Sequence, residues 1–268
     1  MESGGASGDV LLAVIGDVHA HARRLARVLE RVAERGPDAI LLVGDIGSNE
    51  LGRMRRATPG RVLAWRRSAE RVIAACRALG VPVLWVPGNH DLRELDGEGQ
   101  VDRRAGVAAG LVVWGIGGAG PERFGFPYEW DEDEVRALAS PECDVLLCHA
   151  PPARTPLDVL ARGGEHVGSE ALRERAERHD GVYACGHIHE APGAVQLGRC
   201  LCLNAGGLGE PYGRAQVGWL RRDPALPGLW EAEHEDLDSG TLRRWRRGID
   251  GEIDGGIGGV LDSSGEPA

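Results

Sequence analysis

Short apolar runs alternate with amphipathic stretches along the first two thirds of the chain. The runs VLLAVIG, AILLVG, VPVLWVP, DVLLC and GVYACG are rich in aliphatic and β-branched residues, and each ends in Gly or gives way to polar residues. That is the pattern of strands buried on both faces. It predicts strands over 10–15, 39–43, 81–86, 144–148 and 182–185, with another over 111–115. Between the first two runs, Leu25, Val28, Leu29 and Val32 recur at helical spacing and stop at Gly36-Pro37. A second helix is expected over 60–79, ending before Gly80, and a Ser169-capped helix over 170–179. Asp131 and Glu134 have the spacing of a capping box and open a short helix. Residues 92–110 are polar and read as irregular, and 116–130 as a Gly- and aromatic-rich loop. Runs near 193–203, 215–221 and 228–233 predict hairpin strands.

Strands separated by helices early, followed by strands in succession, imply a layered α/β architecture with a mixed sheet, and two sheets flanked by helices fit the pattern. The organisation expected is a leader over 1–8, one domain over 9–235, and a tail over 236–268. That tail is Arg-rich, then Gly-rich and acidic, and reads as disordered because it offers little apolar surface to bury. The loop aromatics Phe124, Phe126, Tyr128 and Trp130 are read as pinning their loop to the core, with stacking on a base as the other reading.

Each of the five runs delivers Asp, His or Asn at its carboxyl end, in the order Asp17-x-His19, Gly44-Asp45, Gly88-Asn89-His90-Asp91, His149 and His187-x-His189. Five of the nine histidines fall in these blocks. In layered α/β folds the crevice at the carboxyl ends of strands is where ligands bind. Imidazole and carboxylate donors together suit Mn, Fe, Zn or Ni and disfavour a pure Mg or Ca site. Asp17, His19, Asp45, Asn89, His149, His187 and His189 supply enough donors, with waters, for two divalent ions. Two such ions outweigh the charge of Asp17 and Asp45, even with a bridging hydroxide. A cationic centre of that kind suits a phosphoester, whose charge grows at the metal during in-line displacement. His90 stands free to protonate a leaving alkoxide, with Asp91 expected to orient its ring. His21, Arg93 and Arg154 are candidate substrate contacts, each also readable as a solvated surface residue. His166, His179 and His234 lack partner spacing and are read as surface residues.

Composition narrows the picture. The net charge is −10, and all 31 basic residues are Arg. An acidic chain is a poor non-specific binder of nucleic acid. No apolar stretch reaches the length of a membrane span, and the N-terminus lacks the features of a signal peptide, so a cytoplasmic location is expected. The six cysteines make no CxxC pair and read as reduced, buried strand residues.

In this order the five blocks resemble the calcineurin-like metallophosphoesterase superfamily, from about residue 9 to 222. The resemblance implies a four-layer α/β/β/α sandwich with two mixed sheets around a dinuclear metal centre. It implies one metal held by Asp17, His19, Asp45 and His189, and another by Asp45, Asn89, His149 and His187, with His90 as catalytic partner. Manganese is the metal expected first. The stretches FPYEWDEDEVRAL, LLCHAPPARTPLD, HVGSEALRE and ACGHIHEAPGAVQLG resemble the Icc-related branch, whose members are similar to cyclic-nucleotide phosphodiesterases. The chain departs from the Ser/Thr protein phosphatases, having GDIGSNE and GNHD where those carry Asp-Arg-Gly and a Glu after Asn-His. The expected substrate is a small phosphodiester, a nucleotide among the candidates. A phosphomonoesterase, a nucleotide pyrophosphatase and a non-catalytic scaffold of the same fold are the alternatives.

Overall fold

The apolar runs form strands whose two faces serve different cores. In the computed structural model, which describes residues 9–49, 51, 57–139, 141–222, 228–247, 253–255 and 259–260, β1 (Val10–Ile15) and β2 (Ala39–Leu42) are parallel neighbours. Successive side chains on a strand point to opposite faces. Ala13, Ile15, Ile40 and Leu42 therefore pack outward beneath two helices, while Leu12, Val14, Ala39 and Leu41 pack inward against a second sheet. The second sheet repeats this division. Leu147 of β6 (Val145–Cys148) and Ala184 of β7 (Val182–Cys185) face inward, whereas Leu146, Cys148, Tyr183 and Cys185 face the outer helices.

The helices complete four layers. On the first sheet lie α1 (Ala22–Arg35), which buries Leu25, Val28 and Val32, and α2 (Pro59–Arg77), which buries Trp65, Val72 and Ile73. Gly36 ends α1 in the left-handed conformation and donates to the Val32 carbonyl, as a helix-stopping glycine does. On the second sheet lie the short α3 (Glu132–Arg136) and α4 (Glu170–Arg178), the latter capped by the Ser169 side chain.

The first sheet continues through β3 (Val83–Trp85), parallel to β2, and on its other edge through β10 (Gln216–Arg222), β11 (Trp230–Asp236) and β12 (Thr241–Arg247), all antiparallel. Two short strands, β13 (Ile253–Gly255) and β14 (Gly259–Val260), pair with β12. The second sheet runs β4 (Ala105–Ala108), β5 (Leu111–Ile116), β6, β7, β9 (Cys200–Asn204) and β8 (Gly193–Leu197). Its β5, β6, β7 and β9 are parallel, with antiparallel edges. Two mixed sheets between helical layers are the architecture expected. The cysteines are unpaired, as expected, and all but the half-buried Cys143 are buried.

Four local expectations fail, each for a physical reason. Residues 241–247 form a strand where a disordered tail was expected from 236. Two of its four arginines find carboxylates directly across the ladder, Arg244 opposite Glu233 and Arg246 opposite Glu231, and Leu242 is buried. Residues 1–8 and much of the remaining tail lie outside the described residues. The polar stretch 92–110 contains β4, whose Ala and Gly content hid an edge strand held by the backbone ladder and by the buried Ala108. The capping box does not form: Asp131 makes no side-chain cap on α3, and the Glu134 carboxylate is drawn away to Arg93 and Arg103. His234 is not a surface residue: it is buried between Gln216 and Arg243.

Candidate metal centre

The carboxyl ends of β1, β2, β3, β6 and β7 meet across the seam between the two sheets, and the five blocks meet there. Asp17, His19, Asp45 and His187 all take positive φ, between 44° and 67°. Side chains rarely adopt this left-handed conformation, and it persists only where the surroundings hold it. Here neighbouring loops hold it. The amides of Asp17 and His19 donate to the carbonyls of Gly44 and Asp45 at 3.1 and 2.8 Å, and those of Leu208 and Gly209 donate to the Asp17 carbonyl. The turned backbone aims the side chains into the crevice.

Their ligand atoms converge. His19 Nε2 lies 3.4 Å from Asp45 Oδ2, His189 Nε2 lies 3.2 Å from Asp17 Oδ1, and Asn89 Oδ1 lies 2.9 Å from His149 Nε2. Asp45 Oδ1 is 3.7 Å from His149 Nε2. Asp17, His19 and His189 form one group able to hold a cation, and Asp17, Asp45 and His149 a second. The His187 ring packs 4.9 Å from that of His149. All seven expected ligands are thus brought together. Asp17 Oδ1 is fully buried, and its closest side-chain contact among the described residues is the His189 Nε2 ion pair at 3.2 Å, which falls outside hydrogen-bond geometry, so a cation fits between the two. The donor set fits divalent transition metals.

Two outer contacts orient the imidazoles. His149 Nδ1 and His189 Nδ1 each lie 2.7 Å from a carbonyl oxygen, those of Val43 and Pro211. A carbonyl only accepts, so Nδ1 carries the proton and Nε2 faces the centre, the arrangement common in metal-ligating histidines. Glycines let the loops close this tightly: a Cβ on Gly88 would stand 2.1 Å from Asp45 Oδ1, and one on Gly186 2.2 Å from Asp17 Oδ2. Gly16 is needed for close packing against Val43 and the Gly206 carbonyl.

The electrostatics divide two histidines that sit two residues apart. Burial, reinforced by His149, lowers the His187 pKa to about 3. Burial acts the same way on His189, but the Asp17 carboxylate beside it prevails and raises its pKa to about 9. Burial would raise Asp45, yet His149, His90, His19 and the His90 amide hold its carboxyl well below the ordinary range. The lowered Asp17 and Asp45 carboxyls are the ionised form that a cation needs, and the lowered His187 is the neutral imidazole, whereas His189 must give up a proton first.

His90 lines the cavity beside the centre, a space of about 420 Å³ that also includes Asn49, Leu160, Arg162 and Tyr212. Its ring meets His19 edge-on at 5.3 Å and Phe126 at 4.3 Å, and its buried Nδ1 has no partner. Asp91 does not orient that ring. Its fully buried carboxylate accepts from the amides of Ile46, Gly47 and Gly88 at 2.9 to 3.0 Å and from the Trp65 indole at 3.3 Å. It ties the loop after β2 to the loop after β3 by accepting from the amides of both. Burial and Asp45 raise its pKa to about 6.

The candidate substrate contacts have other partners. His21 caps α1, its Nδ1 accepting from the Arg24 amide. Arg93 is ion-paired with Glu134, and Arg154 with Glu170. The loop aromatics divide: Tyr128 and Trp130 are buried as expected, while Phe124 is exposed and Phe126 reaches His90. Arg162, missed in the sequence, lines the cavity with no carboxylate partner among the described residues. Its turn, bracketed by the Val159–His166 bridge, carries no pattern that would single it out.

Comparison with known proteins decides the family, since the profile of the calcineurin-like phosphoesterases matches residues 10–191. The chain belongs to the calcineurin-like phosphoesterase family. A relative described as uncharacterized protein MJ1162, from Methanocaldococcus jannaschii, is 31% identical over 136 residues, covering 46% of this chain and 62% of that protein. The match therefore spans less than two thirds of the relative. One solved structure aligns with a TM-score of 0.64 at 15% identity, covering 93% of this chain and 99% of its own. The crystal structure of TT1561 from Thermus thermophilus aligns with a TM-score of 0.51 at 15% identity and the same coverages. At that identity the likeness concerns the fold, which is that of the calcineurin-like metallophosphoesterases. No helix among the described residues is long and apolar enough to cross a membrane.

Proposed function

We propose that this calcineurin-like phosphoesterase is a dinuclear metal hydrolase of the cytoplasm that cleaves small phosphodiesters, nucleotides among them. The observation that carries the reading is the convergence of the buried Asp17 and Asp45 carboxylate oxygens with the Nε2 atoms of His19, His149 and His189. Asp17, His19, Asp45 and His189 would hold one ion, and Asp45, Asn89, His149 and His187 the other, with Mn the first candidate. When bound, such cations supply Lewis acidity and positive charge for attack of water on a phosphorus ester. The Val43 and Pro211 carbonyls fix which nitrogen of His149 and His189 faces the centre. The His90 imidazole borders the open cavity and is the chain's donor of a proton to the leaving oxygen. Asp91 acts through the backbone, holding the two loops so that Asp45, Asn89 and His90 keep their spacing. Arg162, at the cavity and without a carboxylate partner among the described residues, is the residue to contact a phosphate oxygen.

Purified protein loaded with Mn²⁺ should hydrolyse bis-p-nitrophenyl phosphate, and faster than p-nitrophenyl phosphate. Asp45→Ala should abolish turnover. Faster cleavage of the monoester would move the assignment to a phosphomonoesterase. Absence of turnover with Mn, Fe, Zn and Ni alike would refute the hydrolase.

A further inference from the structure

A second cavity of about 610 Å³ adjoins the metal centre, and His189, Glu190 and Tyr212 border both. It lies over β10, β11 and β12, so the strand that sequence reasoning left out builds one of its walls. Its charges are unevenly matched. Asp236 is paired with Arg214 at 2.7 Å and also accepts from the Ser239 hydroxyl at 2.8 Å. Glu190 accepts from the Ala161 amide. Of the four arginines of β12, Arg244, Arg246 and Arg247 are ion-paired with Glu233, Glu231 and Asp180. Arg243, half-buried and lining the cavity, has no carboxylate partner among the described residues.

What Arg243 does touch makes it rigid. Its Nη2 donates to the Pro192 carbonyl at 2.8 Å and to His234 Nδ1 at 3.3 Å, and its guanidinium lies 5.4 Å from the Trp245 ring. His234 Nδ1 accepts, so its Nε2 donates to Gln216 Oε1 at 3.1 Å, and Gln216 Nε2 donates to the Gly207 carbonyl at 2.9 Å. Gly207 in turn presses on the His189 ring, where a Cβ would come within 2.5 Å of Cγ. A continuous buried polar chain therefore runs from Arg243 to the wall of the metal centre. Nε and Nη1 of Arg243 have no acceptor among the described residues. Asp236 in the same cavity attracts Arg243 only through space, being itself paired with Arg214, and a half-buried guanidinium whose direct contacts are all neutral is a fork for an anion.

We infer that this cavity is a subsite for a second ionised phosphate on the substrate, bound by Arg243 while the ester under attack lies at the metal centre. The substrate class is then a phosphodiester in which one half carries an additional phosphomonoester, as in a nucleoside 3′,5′-bisphosphate ester. This rests on the hydrolase reading above for its kinetics, but not for its binding.

Two chromogenic esters test it: thymidine 5′-(p-nitrophenyl phosphate) and the same compound bearing a 3′-phosphate. With the Mn-loaded enzyme the 3′-phosphate should lower KM at least tenfold. Arg243→Gln should erase that gain, and Arg243→Lys should keep part of it. An equal KM for the two esters in the wild type, or a gain that survives Arg243→Gln, would overturn the subsite. Calorimetry with thymidine 3′,5′-bisphosphate and thymidine 5′-monophosphate gives the second readout. The bisphosphate should bind the wild type at least tenfold more tightly, and the Arg243→Gln protein no more tightly than the monophosphate. If neither ester is turned over but that preference is present, the hydrolase reading falls and the subsite stands. If the preference is absent, the subsite falls whatever the activity.

Discussion

In protein stripped of metal by a chelator, the Asp17–His189 pair should make stability fall as pH rises from 7 to 8.5. The perturbation is deprotonation of His189, whose pKa Asp17 raises from 6.5 to about 9. A group with a raised folded pKa contributes stability that is complete below its unfolded pKa and is lost as pH passes through the folded value. At ~1.36 kcal/mol per pH unit the complete contribution is about 3 kcal/mol, of which about 2 kcal/mol is lost between roughly pH 7 and pH 8.5. That window avoids two other effects. His187 and His234, with pKa values near 3, give up their influence by about pH 7. The buried thiols Cys76 and Cys148, with pKa values raised to about 12, come into play only nearer the ordinary thiol value. Urea unfolding at four pH values, for wild type and His189→Gln, isolates the histidine by subtraction. A wild-type curve parallel to that of the variant would refute the ion-pair account. The same proton must leave before a metal can bind Nε2, so at pH 7 metal addition should release about one proton from His189 and none from His187. Calorimetry in two buffers of different ionisation enthalpy counts it.

Four further outcomes are expected. Saturating Mn²⁺ at about 100 times its Kd should stabilise the folded chain by about 2.7 kcal/mol, read as a melting-temperature rise of roughly 5–10 °C that a chelator reverses. Gly88→Ala puts a Cβ 2.1 Å from Asp45 Oδ1 and should cost about 1–3 kcal/mol in urea unfolding together with bound metal, whereas normal metal content would contradict the packing argument. His90→Ala should lower kcat by ~10²–10⁴ while metal content per chain stays at the wild-type level; loss of metal would make His90 a ligand instead. Arg162→Ala should raise KM for bis-p-nitrophenyl phosphate while Arg93→Ala and Arg154→Ala leave it unchanged, since Glu134 and Glu170 already occupy the latter two.

The layers and the donors were legible in the chain itself. Alternation along VLLAVI and AILL assigns Ala13 and Ile40 to one core and Val14 and Leu41 to the other, because side chains on a strand alternate faces whatever lies above them. The same strand ends limited which side chains could meet, and Asp17, His19, Asp45, Asn89, His149, His187 and His189 do meet. How neighbouring polar groups share their partners came from the folded arrangement alone. Asp91 stands next to His90 in sequence, yet the amides of Ile46, Gly47 and Gly88 claim it, and that proximity exists only once β2 and β3 are side by side. Arg243 and Arg244 are adjacent and chemically identical, but the ladder places Glu233 opposite one and an open cavity beside the other. Periodicity is a property of one segment and can be read from it. Ion pairing, burial and pKa depend on which distant segment comes alongside, and that is settled only by folding.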